Sequence, residues 1–474
     1  MTTMADYDLV AIGGGTGGLT VARLTARTGK RVAVIERARP GGDCLWTGCV
    51  PTKALLASAR RYHLATTSAA MGVIAGDVHL DFRAVRVHIA MSQARTGSVD
   101  SAAAIAAAGV DLVLGEASFI DPHTLQVGER TLSARNIVIA TGGEPAIPPI
   151  PGLRDARPDT NVEVVAWETL PVSAVIIGGG PIGVEFCQAL TRFGVNVTVL
   201  EAADRILPQD EPAASDLIRA VLKREGATIH TAARVSLVER RGAHLAVTFD
   251  SGGGPQTIEC DRVVIAAGRA PELAALHLDR AGVAVTRRGV TVDSSLRTSQ
   301  PHIFAVGDVT GGYQFTHVAE AQARLVANIL QQGPLGRRLQ KWSDRVVPRV
   351  TYTDPEVASV GLTEEAARER HQRVRAWKVS LAEVDRAVVD GETDGYIKII
   401  TARGWPRFVP GLARLAGDEI VGASLVGPHA GDLLMPIVNA MKLRLPVGLL
   451  AWNMQAYPTL SLGVRQAAGL PFDP

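Results

Sequence analysis

Two stretches of the chain repeat one pattern of apolar and polar positions. In the first, the run Leu9-Val-Ala-Ile closes on Gly13-Gly14-Gly15-Thr-Gly-Gly18, passes through a helix-like stretch and re-emerges as Arg31-Val-Ala-Val-Ile-Glu36. In the second, Ala174-Val-Ile-Ile closes on Gly178-Gly-Gly180-Pro-Ile-Gly183 and re-emerges as Val195-Asn-Val-Thr-Val-Leu-Glu201. Short apolar runs bounded by turn residues predict buried strands, and the stretch between them has the length of a crossover helix. Each unit therefore reads as strand, G-x-G-x-x-G turn, helix, strand, and an acid 18 residues after the last glycine. Such a turn has a physical purpose. One glycine permits the tight turn, a second lets the backbone approach a pyrophosphate, and the third lets helix and strand pack closely. The helix N-terminus offers free N–H groups to phosphate, and the terminal acid accepts from a ribose diol. Two complete units predict two bound dinucleotides, or one and a close relative. The candidate contacts are Gly13, Gly15, Gly18 and Glu36 in the first unit, and Gly178, Gly180, Gly183 and Glu201 in the second.

Between the units, an Ala-rich stretch from about Cys44 to Gly109 predicts helices, and strand-like runs follow up to Asn136-Ile-Val-Ile-Ala-Thr-Gly142. Proline stiffens the chain and breaks helices, so the segment Glu144-Pro-Ala-Ile-Pro-Pro-Ile-Pro-Gly152 marks a boundary. After the second unit, Arg262-Val-Val-Ile-Ala-Ala-Gly268-Arg269 closes a strand on glycine, and His302-Ile-Phe-Ala-Val ends at Gly307-Asp308. The polar, basic stretch Gly333–Arg345 predicts a second linker. From about Val346 the pattern becomes a separate α+β domain with no nucleotide motif. The predicted class is α/β, with two doubly wound Rossmann-like domains and a C-terminal α+β domain.

A chain of 474 residues exceeds one ordinary domain, and 47% apolar with 20% charged residues describes a globular protein with ample core. A net charge of +2 gives no reason to expect a nucleic-acid or membrane partner. No apolar run approaches the ~20 residues of a membrane span, and Met1–Asp6 carries no secretory pattern, so a cytoplasmic location is expected. Four cysteines are too few for a disulfide scaffold. Cys187 and Cys260 stand alone in apolar surroundings and read as core. The segment Gly41-Gly-Asp-Cys44-Leu-Trp-Thr-Gly-Cys49-Val-Pro-Thr-Lys53 is different. In a straight helix, residues five apart lie roughly 8–9 Å apart at Cα. A disulfide rarely spans more than ~7 Å. A bridge therefore needs a bent helix start, which Gly48 and Pro51 can supply. Spacing alone leaves a redox pair and two reduced core cysteines equally open.

Taken together, these motifs resemble those of the class I pyridine nucleotide-disulfide oxidoreductases, which include dihydrolipoamide dehydrogenase, glutathione reductase and mercuric reductase. The resemblance covers nearly the whole chain. It rests on both glycine turns, the C-x4-C segment with Pro51 and Lys53, Ala140-Thr141-Gly142, Gly307-Asp308, and Tyr352-Thr-Asp-Pro-Glu-Val-Ala-Ser-Val-Gly361. It implies an FAD-binding domain over 1–150, an NAD(P)-binding domain over 151–271, a central segment over 272–345 completing the FAD side, and a dimerisation domain over 346–474. It further implies FAD in the first unit, with Glu36 on the adenosine ribose and Asp308 on the ribityl chain. Thr141, Gly142 and Gly307 belong to the same site. Cys49 is implied as the thiol against the flavin, Cys44 as the thiol that meets substrate, and Lys53, paired with Glu185, as the lysine beside the flavin. The second unit takes the nicotinamide cofactor, lined by Gly268 and Arg269. A carboxylate at Glu201 accepts from a ribose 2′-OH and repels a 2′-phosphate, so NAD(H) is preferred over NADP(H), with Arg205 the nearby charge acting the other way. A homodimer, a small-molecule electron acceptor and no resident metal complete the expectation.

One departure stands out. The family's disulfide reductases close with His-Pro-Thr-x-x-Glu, but here the stretch is Tyr457-Pro458-Thr459-Leu460-Ser461-Leu462. Tyrosine titrates near pH ~10, far from where a general base works best at neutral pH. Three alternatives therefore accompany disulfide or dithiol turnover. A diaphorase-type enzyme reducing quinones needs no base. A reductase of mercury or another soft metal would use the thiolates, although the family's C-terminal cysteine pair for metal delivery is missing. A non-catalytic redox sensor would bind both cofactors and change its partner contacts.

Overall fold

The computed structural model describes residues 5–333, 338, 340–403 and 417–472. The first glycine unit builds a five-stranded parallel sheet in the order Ile303–Ala305, Ile137–Ile139, Leu9–Ile12, Val32–Glu36, Val110–Leu114. Its strands are buried throughout at the centre: Leu9, Val10 and Ala11 have no exposed surface. That follows from their β-branched, apolar character, because a parallel sheet carries helices on both faces. The second unit builds a four-stranded parallel sheet in the order Thr228–His230, Asn196–Leu200, Ser173–Ile177, Arg262–Ile265. Two separate three-stranded antiparallel sheets, over 117–133 and 234–260, flank these two cores.

From Pro348 the chain changes architecture. A five-stranded antiparallel sheet runs in the order Pro348–Thr351, Glu356–Gly361, Glu419–Gly427, Tyr396–Ala402, Val374–Ser380, covered by the helices Met435–Lys442 and Ser461–Gly469. It is tied to the second unit by buried charge. Lys398 Nζ reaches both Glu211 and Glu364 at 2.7 Å, and Arg192 bridges Glu225 and Asp354 at 2.7 and 3.0 Å. Buried charges need partners, and these span the boundary between the two sheets. The fold class is as the sequence predicts. The expected linker Gly333–Arg345 lies partly outside the described residues. No helix among the described residues is long and apolar enough to cross a membrane.

Candidate functional site

Both glycine turns have the geometry that phosphate binding requires. Gly13 sits at φ +106, and a Cβ there would lie 2.4 Å from the Ala140 carbonyl oxygen. Gly178 repeats this at φ +114, with 2.5 Å to the Ala266 oxygen. Gly18 and Gly183 face the carbonyls of Gly13 and Gly178, where a Cβ would fall 1.9 Å away in each case. Only glycine fits, because any side chain would push helix and strand apart. The helices Thr16–Ala26 and Pro181–Arg192 both start at a glycine without a side-chain cap, which leaves their first N–H groups free for an anion.

The terminal acids are held alike. Glu36 accepts from the Gly14 and Ala38 N–H groups at 2.7 and 2.8 Å, and Glu201 accepts from those of Gly179 and Ala203 at 2.5 and 2.7 Å. Each carboxylate is thus aimed across the turn of its own unit. Arg205 is turned to Asp204 and the Pro208 carbonyl, outside the lining of the cavity, whereas Arg234 lines the Glu201 end. Sequence reasoning missed Arg234, which sits on a separate strand with no motif.

A cavity of about 2050 Å³ joins the two turns. A single-ligand pocket measures roughly 300–1,000 Å³, so this volume suits two dinucleotides. Gly13, Gly15, Glu36, Thr141, Gly142, Gly307 and Asp308 line it, as do Gly178, Gly180, Glu201, Gly268 and Arg269. Cys44, Cys49, Lys53 and Glu185 line the same space. The residues present therefore fit FAD at one end and a nicotinamide dinucleotide at the other.

The helix bends at the cysteines. Gly42–Trp46 forms one short helix, the chain breaks at Thr47 and Gly48, and a second helix starts at Cys49. A Cβ on Gly48 would lie 2.9 Å from the Asp43 carbonyl oxygen that the bend uses, so glycine is needed there. The bend brings Cys44 and Cys49 together on the wall of the cavity as two free thiols. Their roles differ electrostatically. The Cys44 thiol donates to Cys49, so its own pKa is driven far up, and burial adds to this. Cys49 is pulled down to about 6, first by that hydrogen bond, then by the Thr316 hydroxyl at 3.3 Å and the Lys53 charge, against the effect of burial. These influences favour the proton on Cys44 and the negative charge on Cys49.

Lys53 pairs with Glu185 at 2.8 Å, and Glu185 is only 5% exposed. Burial works against the lysine charge, but Glu185 outweighs it and the pKa ends above its usual value. Tyr352 closes this corner from the C-terminal domain. Its ring lies 4.6 Å from Lys53 Nζ, and its N–H donates to Glu185 at 2.9 Å. Neither Thr316 nor Tyr352 was identified from sequence as a site residue. Thr316 follows Gly307-Asp308 with no spacing rule to mark it, and Tyr352 served only as part of a longer matching phrase.

Two further predicted residues have partners that the sequence did not name. Arg269 was expected to line the nicotinamide site. It lines the shared cavity, and its guanidinium is held by Asp308 at 3.0 Å, by Asp43 beside the cysteines and by the Gly143 carbonyl. Burial raises the pKa of Asp308, opposed by that arginine. Tyr457 is 71% exposed, lies outside the cavity lining and hydrogen-bonds to Asp385, which raises its pKa further from neutrality. Within one chain it is not brought to Cys44.

Comparison with known proteins identifies relatives over nearly the whole chain. A family model described as pyridine nucleotide-disulphide oxidoreductase matches residues 7–323, and the dimerisation domain of the same group matches 347–468. A mercuric reductase from Staphylococcus aureus is 33% identical, over 99% of this chain and 83% of that protein. A dihydrolipoyl dehydrogenase from Geobacillus stearothermophilus is also 33% identical, over 98% of this chain and 96% of that protein. Among solved structures, the Cu(II) complex of the HOCl-induced flavoprotein disulfide reductase RclA from Escherichia coli is similar with a TM-score of 0.83. It is 30% identical and covers 98% of this chain and 100% of that one.

Proposed function

This chain belongs to the pyridine nucleotide-disulphide oxidoreductase family, and from that premise we propose that it uses NADH to reduce a small disulfide-type acceptor at Cys44 and Cys49. The observation that carries the proposal is the placement of Cys44 and Cys49, with Thr316 and the Lys53–Glu185 pair, in the cavity shared by the two nucleotide turns. A flavin held by Gly13, Gly15, Glu36 and Asp308 would supply two-electron transfer between a nicotinamide and a disulfide. The chain's own residues do the rest. Lys53 and Thr316 hold negative charge on Cys49, while Cys44 keeps its proton and remains the thiol available to substrate. Glu185 and Tyr352 keep Lys53 in place.

Dimerisation accounts for the exposed apolar loop near the C-terminus. Trp452, Met454 and Tyr457 are 51, 99 and 71% exposed, and a second copy would cover them and bring a tyrosine hydroxyl towards Cys44. A hydroxyl can donate a hydrogen bond to the substrate sulfur there, but it is a poor base at neutral pH. Steady-state NADH oxidation with a panel of acceptors tests the proposal. Small disulfides should support turnover in the wild type, and turnover with quinones alone would contradict it. Quinone reduction is kept as the second reading, because it needs no general base and Tyr457 stands where the family's disulfide reductases have histidine.

Nucleotide preference is assigned to Glu201. With both oxygens on backbone N–H groups, its charge is fixed where a 2′-phosphate would sit. Glu201→Arg is expected to shift relative kcat/KM at least about tenfold towards NADPH, the scale of one charge reversed at a ribose. An unchanged ratio would remove this role and leave Arg234 as the residue to examine.

A further inference from the structure

The bend between the cysteines leaves three carbonyls without their helical partners. In a continuous helix, Leu45, Trp46 and Thr47 would accept from the N–H groups of residues 49, 50 and 51. Residue 51 is Pro51, which has no N–H, so the Thr47 carbonyl would be orphaned even in a straight helix. The break removes the other two as well, and among the described residues no backbone N–H reaches any of the three. Side chains from elsewhere in the fold take all of them. Gln93, on the helix Phe82–Gly97, donates its amide to the Leu45 and Trp46 carbonyls at 3.3 and 2.8 Å. Asn161, the 6% exposed first residue of the helix Asn161–Val164, donates to the Thr47 carbonyl at 2.9 Å. The Asp43 carbonyl closes the turn on the N–H groups of Thr47 and Gly48 at 2.9 and 2.5 Å.

We propose that Gln93 and Asn161 form a two-point amide clamp that holds the Cys44–Cys49 span bent, making both of them positioning residues for the thiol pair. Neither touches a sulfur. Their effect is on distance, because a relaxed span tends towards the straight helix, in which the two Cα atoms stand roughly 8–9 Å apart and no bridge can close. Asn161 comes from the segment that leads into the second nucleotide unit, so that unit and the cysteine bend are mechanically joined. The inference rests on the reading of Cys44 and Cys49 as a redox pair.

Thiol–disulfide equilibrium of the flavin-loaded protein with glutathione tests it. Cys44 and Cys49 give up two electrons and two protons and form one S–S bond, while one glutathione disulfide is cleaved to two glutathione thiols. Alkylation and mass measurement across a range of glutathione ratios give the equilibrium constant. Asn161→Leu is expected to lower it about tenfold, the scale of one lost hydrogen bond to a buried group, Gln93→Met, which loses two, at least as much, and the double variant more. If the apolar variants fail to fold, Gln93→Glu removes the donor at constant size and should shift the equilibrium the same way. A wild-type equilibrium constant in the double variant, with normal disulfide cycling, overturns the clamp alone. A wild-type protein that forms no disulfide at any ratio overturns the redox reading and the clamp with it.

Discussion

Cys44→Ala/Cys49→Ala should abolish disulfide reduction while leaving the reduction of quinones by NADH largely in place. The loss should be on the order of 10⁴-fold or more, the scale of removing a catalytic nucleophile. The reason is local. Cys44 and Cys49 line the cavity between the nucleotide turns, and no third cysteine can replace them: Cys187 and Cys260 are buried at 0% and 2% exposure. Burial also raises their thiol pKa values, to about 12 and about 11, so they remain inert at neutral pH. The glycine turns and their acids are untouched by the substitutions, so nucleotide binding should survive. Parallel rates with a small disulfide and a quinone check this. Equal loss with both acceptors would mean that the cysteines are structural, and retention of both would make them bystanders.

Lys53→Met should move the pH at which the Cys49 thiolate is lost, and should destabilise the fold. The thiolate pKa lies at about 6, with Lys53 the third favourable influence after the thiol of Cys44 and the hydroxyl of Thr316. A depressed pKa means that the charged form persists above it and is lost as pH falls through it. In the wild type the thiolate signal should fade as pH falls through about 6. Removing one nearby cation should raise that midpoint by about one unit, but not to the ~8.5 of a free thiol. The substitution also leaves Glu185 buried without its cation, at a cost of about 3–5 kcal/mol. Thiol alkylation rates and denaturant unfolding across pH 5–9 read the two effects separately. An unmoved midpoint would assign the thiolate to Cys44 and Thr316 alone.

The nucleotide turns were legible because their information is local. Gly13, Gly18 and Glu36 lie within one crossover, and the pattern of apolar runs and glycines states their geometry directly. The need for a bent helix at Gly48 was legible from helix dimensions alone. The pairing of Lys53 with Glu185 followed only from the family resemblance, because 132 residues separate them. Long-range placements were not readable. Ile303–Ala305 joins the first sheet beside Ile137–Ile139, and nothing in either run names the other as neighbour. Gln93 and Asn161 are single amides on helices, with the same appearance as any solvated polar residue. Arg269 could be placed near a nucleotide site only through the family resemblance. Its choice of Asp43 and Asp308 depended on which carboxylates folding brought within reach.

The central claim is that electrons from the nicotinamide reach the cysteine pair. Anaerobic titration of the flavin-loaded, air-oxidised protein with NADH, with visible absorbance recorded and thiols counted before and after, tests it most directly. The expected result is two new thiols per chain together with a long-wavelength thiolate–flavin band. Flavin bleaching without new thiols, from a pair shown to be oxidised at the start, would contradict the claim and give first place to quinone reduction.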